Sequence, residues 1–223
     1  KTVFAHGWWL IRGEKMSKSL GNIVDPQAVV DTFGLDAFRY FLMRDVPFGD
    51  DGVFSEEAIT KRFNSDLAND LGNLAYRTLT MLEKHTGGKI PEGKMEEAMQ
   101  VEISAAEKRI WAALQVFTPS EALKALWERI TRANKLVEEK APWTLAKEGK
   151  RAELEAFLHQ LAGLVRSIAL LTWPFMPTAA ESIWAQLGFT GDLGKERLPA
   201  SLTTQVPAGQ AIKMGSPLFP RLQ

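Results

Sequence analysis

The spacing of apolar positions changes character once along this chain. Across residues 3–11, Val3, Phe4, Trp8, Trp9, Leu10 and Ile11 crowd β-branched and aromatic types around Gly7, the pattern of a buried strand that needs a sheet to join. From residue 56 onward the spacing is helical throughout. Leu67, Leu71, Leu74, Thr78 and Leu82 recur at four and three residues, forming one stripe on a helix that fades at Gly87-Gly88. Further helices are predicted over about 95–117, 119–140, 151–172 and 177–187, with short loops between them.

Local signals set the boundaries in between. Asp25 before Pro26 opens a helix that ends near Gly34, since Asp caps well and Pro is tolerated at the first helical position. A second helix runs from Asp36 to about Arg44 and is stopped by Pro47-Phe48-Gly49-Asp50-Asp51-Gly52. Val53-Phe54 reads as a short extended piece, and Ser55 with Glu56 and Glu57 starts the next helix. The predicted fold class is mainly α: an antiparallel bundle of about five helices preceded by a small α/β segment. The expected divisions are 1–55 for the α/β segment, 56–187 for the bundle, and 188–223 for a Pro- and Gly-rich tail packed irregularly on the domain surface. Lys1-Thr2-Val3 leads straight into the apolar strand, as expected of a chain cut inside a domain.

Composition narrows the chemistry. The 223 residues carry 27 basic and 27 acidic side chains, so nucleic acid would have to be held by a local patch and not by a long-range field. There is no cysteine, which removes disulfides, thiolate zinc sites and cysteine nucleophiles, and is compatible with a reducing cytoplasm. The longest charge-free apolar stretch, residues 167–177, is too short for a bilayer core of about 30 Å, so no membrane span is expected.

Gly13 and Gly21 bracket Glu14-Lys15-Met16-Ser17-Lys18-Ser19 after the predicted strand. Two ammonium groups interleaved with two hydroxyls on a glycine-flanked loop can grip a polyphosphate. The full stretch Gly13-Glu14-Lys15-Met16-Ser17-Lys18-Ser19-Leu20-Gly21-Asn22-Ile23-Val24-Asp25-Pro26 resembles the second signature of class I aminoacyl-tRNA synthetases, the KMSKS loop. The following run, from Phe33-Gly34-Leu35-Asp36 through Arg44-Asp45-Val46-Pro47-Phe48-Gly49 to Ser55, resembles the methionyl family. So do Asn134, Ala141-Pro142-Trp143 and Pro217-Leu218-Phe219-Pro220-Arg221, so that the likeness covers essentially the whole chain.

This resemblance implies adenylation of methionine by ATP, with Mg2+ accompanying the nucleotide in the complete enzyme, and transfer of methionine to its tRNA. It implies Lys18 as the principal catalytic lysine and Lys15 as its helper, with Ser17 and Ser19 binding the ATP phosphates. The first class I signature, a methionine pocket and a zinc knuckle do not occur in the sequence and are expected before Lys1. This chain alone is therefore expected neither to bind ATP firmly nor to activate methionine. His6 is expected to be structural.

Asn73 and Arg77 are four residues apart and point about 120° away from the core stripe, toward solvent or a ligand. Trp143 follows Pro142 at the expected first turn of a short helix, where it either closes a helix contact or presents its ring. By resemblance, Asn73, Arg77 and Trp143 read the CAU anticodon of the methionine tRNA. Asn134 falls within the stripe Leu123, Trp127, Ile130 and Val137, so its amide is expected to bond backbone near the Ala141-Pro142 turn. Trp111, Trp127, Trp173 and Trp184 read as core or helix-contact residues. An isoleucyl- or valyl-type ligase and a non-catalytic RNA-binding helical module remain the alternative functions.

Overall fold

The computed structural model describes residue 3 and residues 7–222; His6 lies outside the described residues. Arg12 and Gly13 both have positive φ, 53° and 81°. That pair forms the tight turn that folds β1 (Trp9–Ile11) back on β2 (Glu14–Lys15). On its other side β1 pairs in parallel with β3 (Gly52–Val53), in the register Trp9 to Gly52 and Leu10 to Val53. The expected long, buried strand is thus a short, half-buried one among the described residues, and the chain itself supplies its sheet.

Between β2 and β3 lie α1 (Pro26–Phe33), whose start is capped by the Asp25 carboxylate accepting from Gln27 N, and α2 (Leu35–Arg44). Phe41 and Val29 form a small core with Phe54 and Ile59. Trp9 closes it, 5.4 Å from the Phe41 ring centre. The opposite side of α2 belongs to the bundle, where Ala37 and Tyr40 are fully buried, and the Tyr40 ring lies 4.4 Å from Trp127. One helix therefore carries both cores.

The bundle begins at Ser55, whose hydroxyl accepts from Ala58 N at the head of α3 (Glu56–Arg62). This helix continues without a break through a π-helical segment, Phe63–Gly72, into α4 (Asn73–Thr86). The stripe Leu67, Leu71, Leu74, Thr78 and Leu82 is buried as expected. The wider π turns were not readable, because they arise from a slip in backbone bonding that no residue type announces. Then come α5 (Glu97–Gln115), α6 (Pro119–Lys140), α7 (Pro142–Lys147), α8 (Arg151–Thr172) and α9 (Pro177–Gln186). By length and composition α8 could cross a bilayer, but 83% of its apolar window is buried inside the protein, where it is the central helix of the core.

Two corrections concern packing. Trp111 is 59% exposed and not a core residue, whereas Trp127 and Trp184 are buried. The tail is irregular, but it does not merely cover the surface: Leu193, Leu202, Val206 and Ile212 enter the main core. It is stitched to the loop after α4 through Ile90 N to Gln210 O at 2.9 Å and Ile212 N to Gly88 O at 2.8 Å. Residues without a helical period can still be buried when backbone bonds of this kind satisfy their amides.

Polar bonds fasten α2 to the bundle. Asp36 Oδ2 accepts from Ala179 N at 2.6 Å, capping α9, while Arg39 donates to the carbonyls of Phe175 (2.9 Å) and Pro174 (3.1 Å). Tyr40 donates its hydroxyl proton to Asp66 at 2.7 Å, and Arg62 bridges Asp66 and Asp45.

Candidate functional site

Lys15 ends β2, and the chain then turns through residues 16–22. Asn22 closes this loop from both sides: its Oδ1 accepts from Ser17 N at 2.7 Å, and its Nδ2 donates to Lys15 O at 3.1 Å. Within the loop the Ser17 and Ser19 hydroxyls are 2.7 Å apart, and Leu20 N and Gly21 N bond to Ser17 O and Lys18 O. Gly21 has φ 64°, a conformation that costs glycine little and leaves the loop edge open. Lys15 rests its ammonium 4.6 Å from the centre of the exposed Trp8 ring. Lys18 is exposed, and neither lysine forms an ion pair with the described residues. Lys15, Ser17, Lys18 and Ser19 thus share one short stretch that Asn22 shapes and that no carboxylate among the described residues pairs with. Asn22 was not singled out from the sequence; its place beside Gly21 at the end of a polar loop was the available signal.

The second cluster lies on the bundle. Leu74, Ala75, Thr78, Leu79 and Leu82 bury one side of α4, leaving Asn73 and Arg77 half-buried on the other. Across from them the backbone turns sharply at Ala141, φ 39°, and Pro142 starts α7 with its own ring buried. Trp143 is thereby turned outward and is 48% exposed. The Arg77 guanidinium carbon lies 5.9 Å from the Trp143 ring centre, and its Nη1 stands 2.7 Å from Glu138 Oε1 in an ion pair. Asn73 makes no side-chain hydrogen bond with the described residues. The structure therefore brings Arg77 and Trp143 together, with Asn73 one turn away, and adds Glu138, a pairing across helices that the sequence alone did not indicate.

Support for this cluster comes from behind it. Asn134 is not bonded near the Ala141-Pro142 turn as expected; its Nδ2 donates to Asp70 O at 3.2 Å, in the π segment just ahead of Asn73. Asp70 O thus accepts from the Asn134 amide as well as from Asn73 N, while the buried Asn134 Oδ1 has no partner among the described residues. Burial, assisted by the nearby Asp66 charge, pushes the Asp70 carboxyl above the ordinary aspartate range.

Two family models match this chain: residues 1–79 match class I tRNA synthetases (M), and residues 85–223 match the anticodon binding domain of methionyl tRNA ligase. The methionine–tRNA ligase of Caldanaerobacter subterraneus subsp. tengcongensis is 45% identical across all of this chain and 35% of that protein. That of Halalkalibacterium halodurans is 46% identical across all of this chain and 34% of that protein. The chain thus spans about a third of the length of these curated relatives. A crystal structure of Mycobacterium tuberculosis methionyl-tRNA synthetase bound by methionyl-adenylate superposes with a TM-score of 0.88 at 38% identity, covering 97% of this chain and 43% of that one. The methionyl match on both parts of the chain removes the isoleucyl and valyl alternatives.

Proposed function

The chain belongs to the methionyl-tRNA synthetase family, and from that premise we propose that it supplies the phosphate-gripping loop and the anticodon-reading surface of an ATP-dependent ligase joining methionine to its tRNA. The single observation that carries this reading is the 5.9 Å approach of Arg77 to Trp143. Two residues 66 positions apart in the chain, each awkward to explain as packing, meet on one exposed surface.

In this reading Trp143 stacks on an unpaired base, and the Asn73 amide and Arg77 guanidinium bond to base edges, the usual means of reading RNA loops. The preferred triplet is CAU. Glu138 holds the guanidinium until RNA displaces it, which is feasible because exposed ion pairs contribute only about 0–1 kcal/mol. At the other site the open, unneutralised loop suits a polyphosphate. Lys18, helped by Lys15, meets the charge that develops on departing pyrophosphate, and Ser17 and Ser19 bond its oxygens. The Asn22 bonds give the loop a defined resting shape from which it closes over nucleotide and reopens. Among the described residues no three His, Asp or Glu side chains are grouped to hold a metal ion. The Mg2+ of such a reaction would come with the nucleotide phosphates. The assigned compartment is the cytoplasm.

The test is a titration, at one stated salt concentration, of stem-loops bearing CAU or an altered triplet against the protein and its Arg77→Ala variant. Preference for CAU that is blunted in Arg77→Ala supports the reading. Equal binding of both loops by the parent protein overturns it.

A further inference from the structure

Beside Asn73, the outer surface of the π segment and α4 and the chain segment 217–221 border a groove of about 430 Å³ that Trp143 does not line. That is within the range of about 300–1,000 Å³ found for ligand sites. Gly72 at the end of the π segment and Phe219 on segment 217–221 are both among its lining residues. A Cβ at position 72 would stand 2.9 Å from Leu67 O, too close to be tolerated without a shift, and 3.8 Å from the Phe219 side chain, so glycine lets the helix and residue 219 approach across the groove. The far wall is fixed: Phe219 packs edge-on against Phe63 at 5.7 Å, and Leu222 exchanges two bonds with the Asn64 amide, at 3.1 and 2.9 Å.

The polar side chains of the lining face solvent and are open to a ligand. Asn69, Tyr76 and Arg221 are exposed and Asn73 is half-buried, yet none of their side chains bonds to the described residues, and no carboxylate lines the groove. Arg77, one turn further along α4, is by contrast tied to Glu138. Two amides offer donors and acceptors in a plane, as a base edge requires; a phenol offers a stacking face, and a guanidinium without an acid offers a phosphate contact. Asn73 belongs both to this groove and to the Arg77–Trp143 cluster, from which it stands about 6 Å along the helix axis.

We propose that the groove holds one unpaired nucleotide lying next to the triplet in the same RNA loop, its base against Tyr76 with an edge on Asn69, and its phosphate on Arg221. The inference rests on the base-reading role given above to Arg77 and Trp143. It adds a subsite outside the triplet, so the surface would grip the loop at a nucleotide that does not encode the amino acid.

Stem-loops with a single abasic nucleotide at each unpaired position separate the two assignments. Each is titrated against the protein and against Tyr76→Ala, Arg221→Gln and Trp143→Ala, with melting curves for every variant. On the intact loop, Tyr76→Ala is expected to weaken binding about ten-fold, the order of one base–aromatic stack. Tyr76→Phe, which keeps the ring, should bind as the parent does. The Tyr76→Ala effect should vanish for one abasic position outside the triplet, and the Trp143→Ala effect for one inside it, as coupled pairs require. Arg221→Gln should flatten the dependence of log affinity on log salt by about 0.7, one single-strand phosphate contact. Tyr76→Ala acting equally on every abasic loop, or losing its effect at a triplet position, overturns the groove proposal. Trp143→Ala acting equally on every abasic loop overturns the base-reading role itself.

Discussion

Arg77 and Glu138 form an ion pair 2.7 Å long between α4 and α6, although their side chains keep 29% and 58% of their exposure. In the proposed reading, the carboxylate occupies a guanidinium that a base or phosphate is to engage. Glu138→Gln is expected to tighten binding of any anticodon stem-loop by up to about five-fold at low salt, the equivalent of at most about 1 kcal/mol for an exposed pair. It should narrow the difference between CAU and altered loops and leave the melting temperature nearly unchanged. Titrations at two salt concentrations decide it, and weaker binding by the variant would count against this gating role.

Trp143 stands half in solvent at the head of α7. Trp143→Ala should cost about 1–3 kcal/mol of RNA binding, the range for one base–aromatic stack. A melting curve recorded alongside should move little. A variant that unfolds would identify Trp143 as a packing residue.

The bond from Asn134 to Asp70 O supports the π segment from which Asn73 emerges. Asn134→Ala should destabilise the protein by about 1 kcal/mol, the net worth of one hydrogen bond, because Asp70 O keeps the bond from Asn73 N and the unpartnered Asn134 Oδ1 leaves with the amide. Urea denaturation measures it, and an unchanged midpoint would mean that water replaces the amide.

The Asp36 carboxyl titrates above the ordinary aspartate range because burial outweighs the bonds it accepts from Ala179 and Thr178 and the Arg39 charge. The folded chain therefore holds this proton at a pH where the unfolded chain has released it. Its contribution to stability must fall as pH rises above 3.8 through the folded value. Asp36→Asn can still accept the Ala179 bond and carries no such proton. The difference in stability between the two proteins should thus shift in favour of Asp36→Asn as pH rises, measured by denaturant titration in a pH series. Parallel curves would exclude the effect.

Much of this architecture can be read locally. Asp25-Pro26, Ser55, Pro119 and Pro142 each announce a helix start through short-range chemistry, and the structure begins helices at those places. The placement of Asn73 and Arg77 off the core followed from helical phase, which holds within α4. What escaped depends on partners distant in sequence. Glu138 and Asn134 are polar residues on a long helix until α4 and the π segment pack beside them. Leu202 and Ile212 lack a period because irregular chain carries them inward. Trp111 misled because size and apolarity favour burial, yet it lies on the outward side of α5 and is largely exposed.

The reciprocal bonds between Asn64 and Leu222 join positions 158 residues apart. On a ribosome this separation becomes a delay. The helix bearing Phe63 and Gly72 emerges long before Phe219 can cover it, so its flank stays open to water, or to a chaperone, while the intervening helices are synthesised. Closing that flank is then the laying down of a short irregular segment and not the docking of a helix. Translation pauses between the codons for Ile212 and Leu222 would accordingly prolong the life of an incompletely covered bundle.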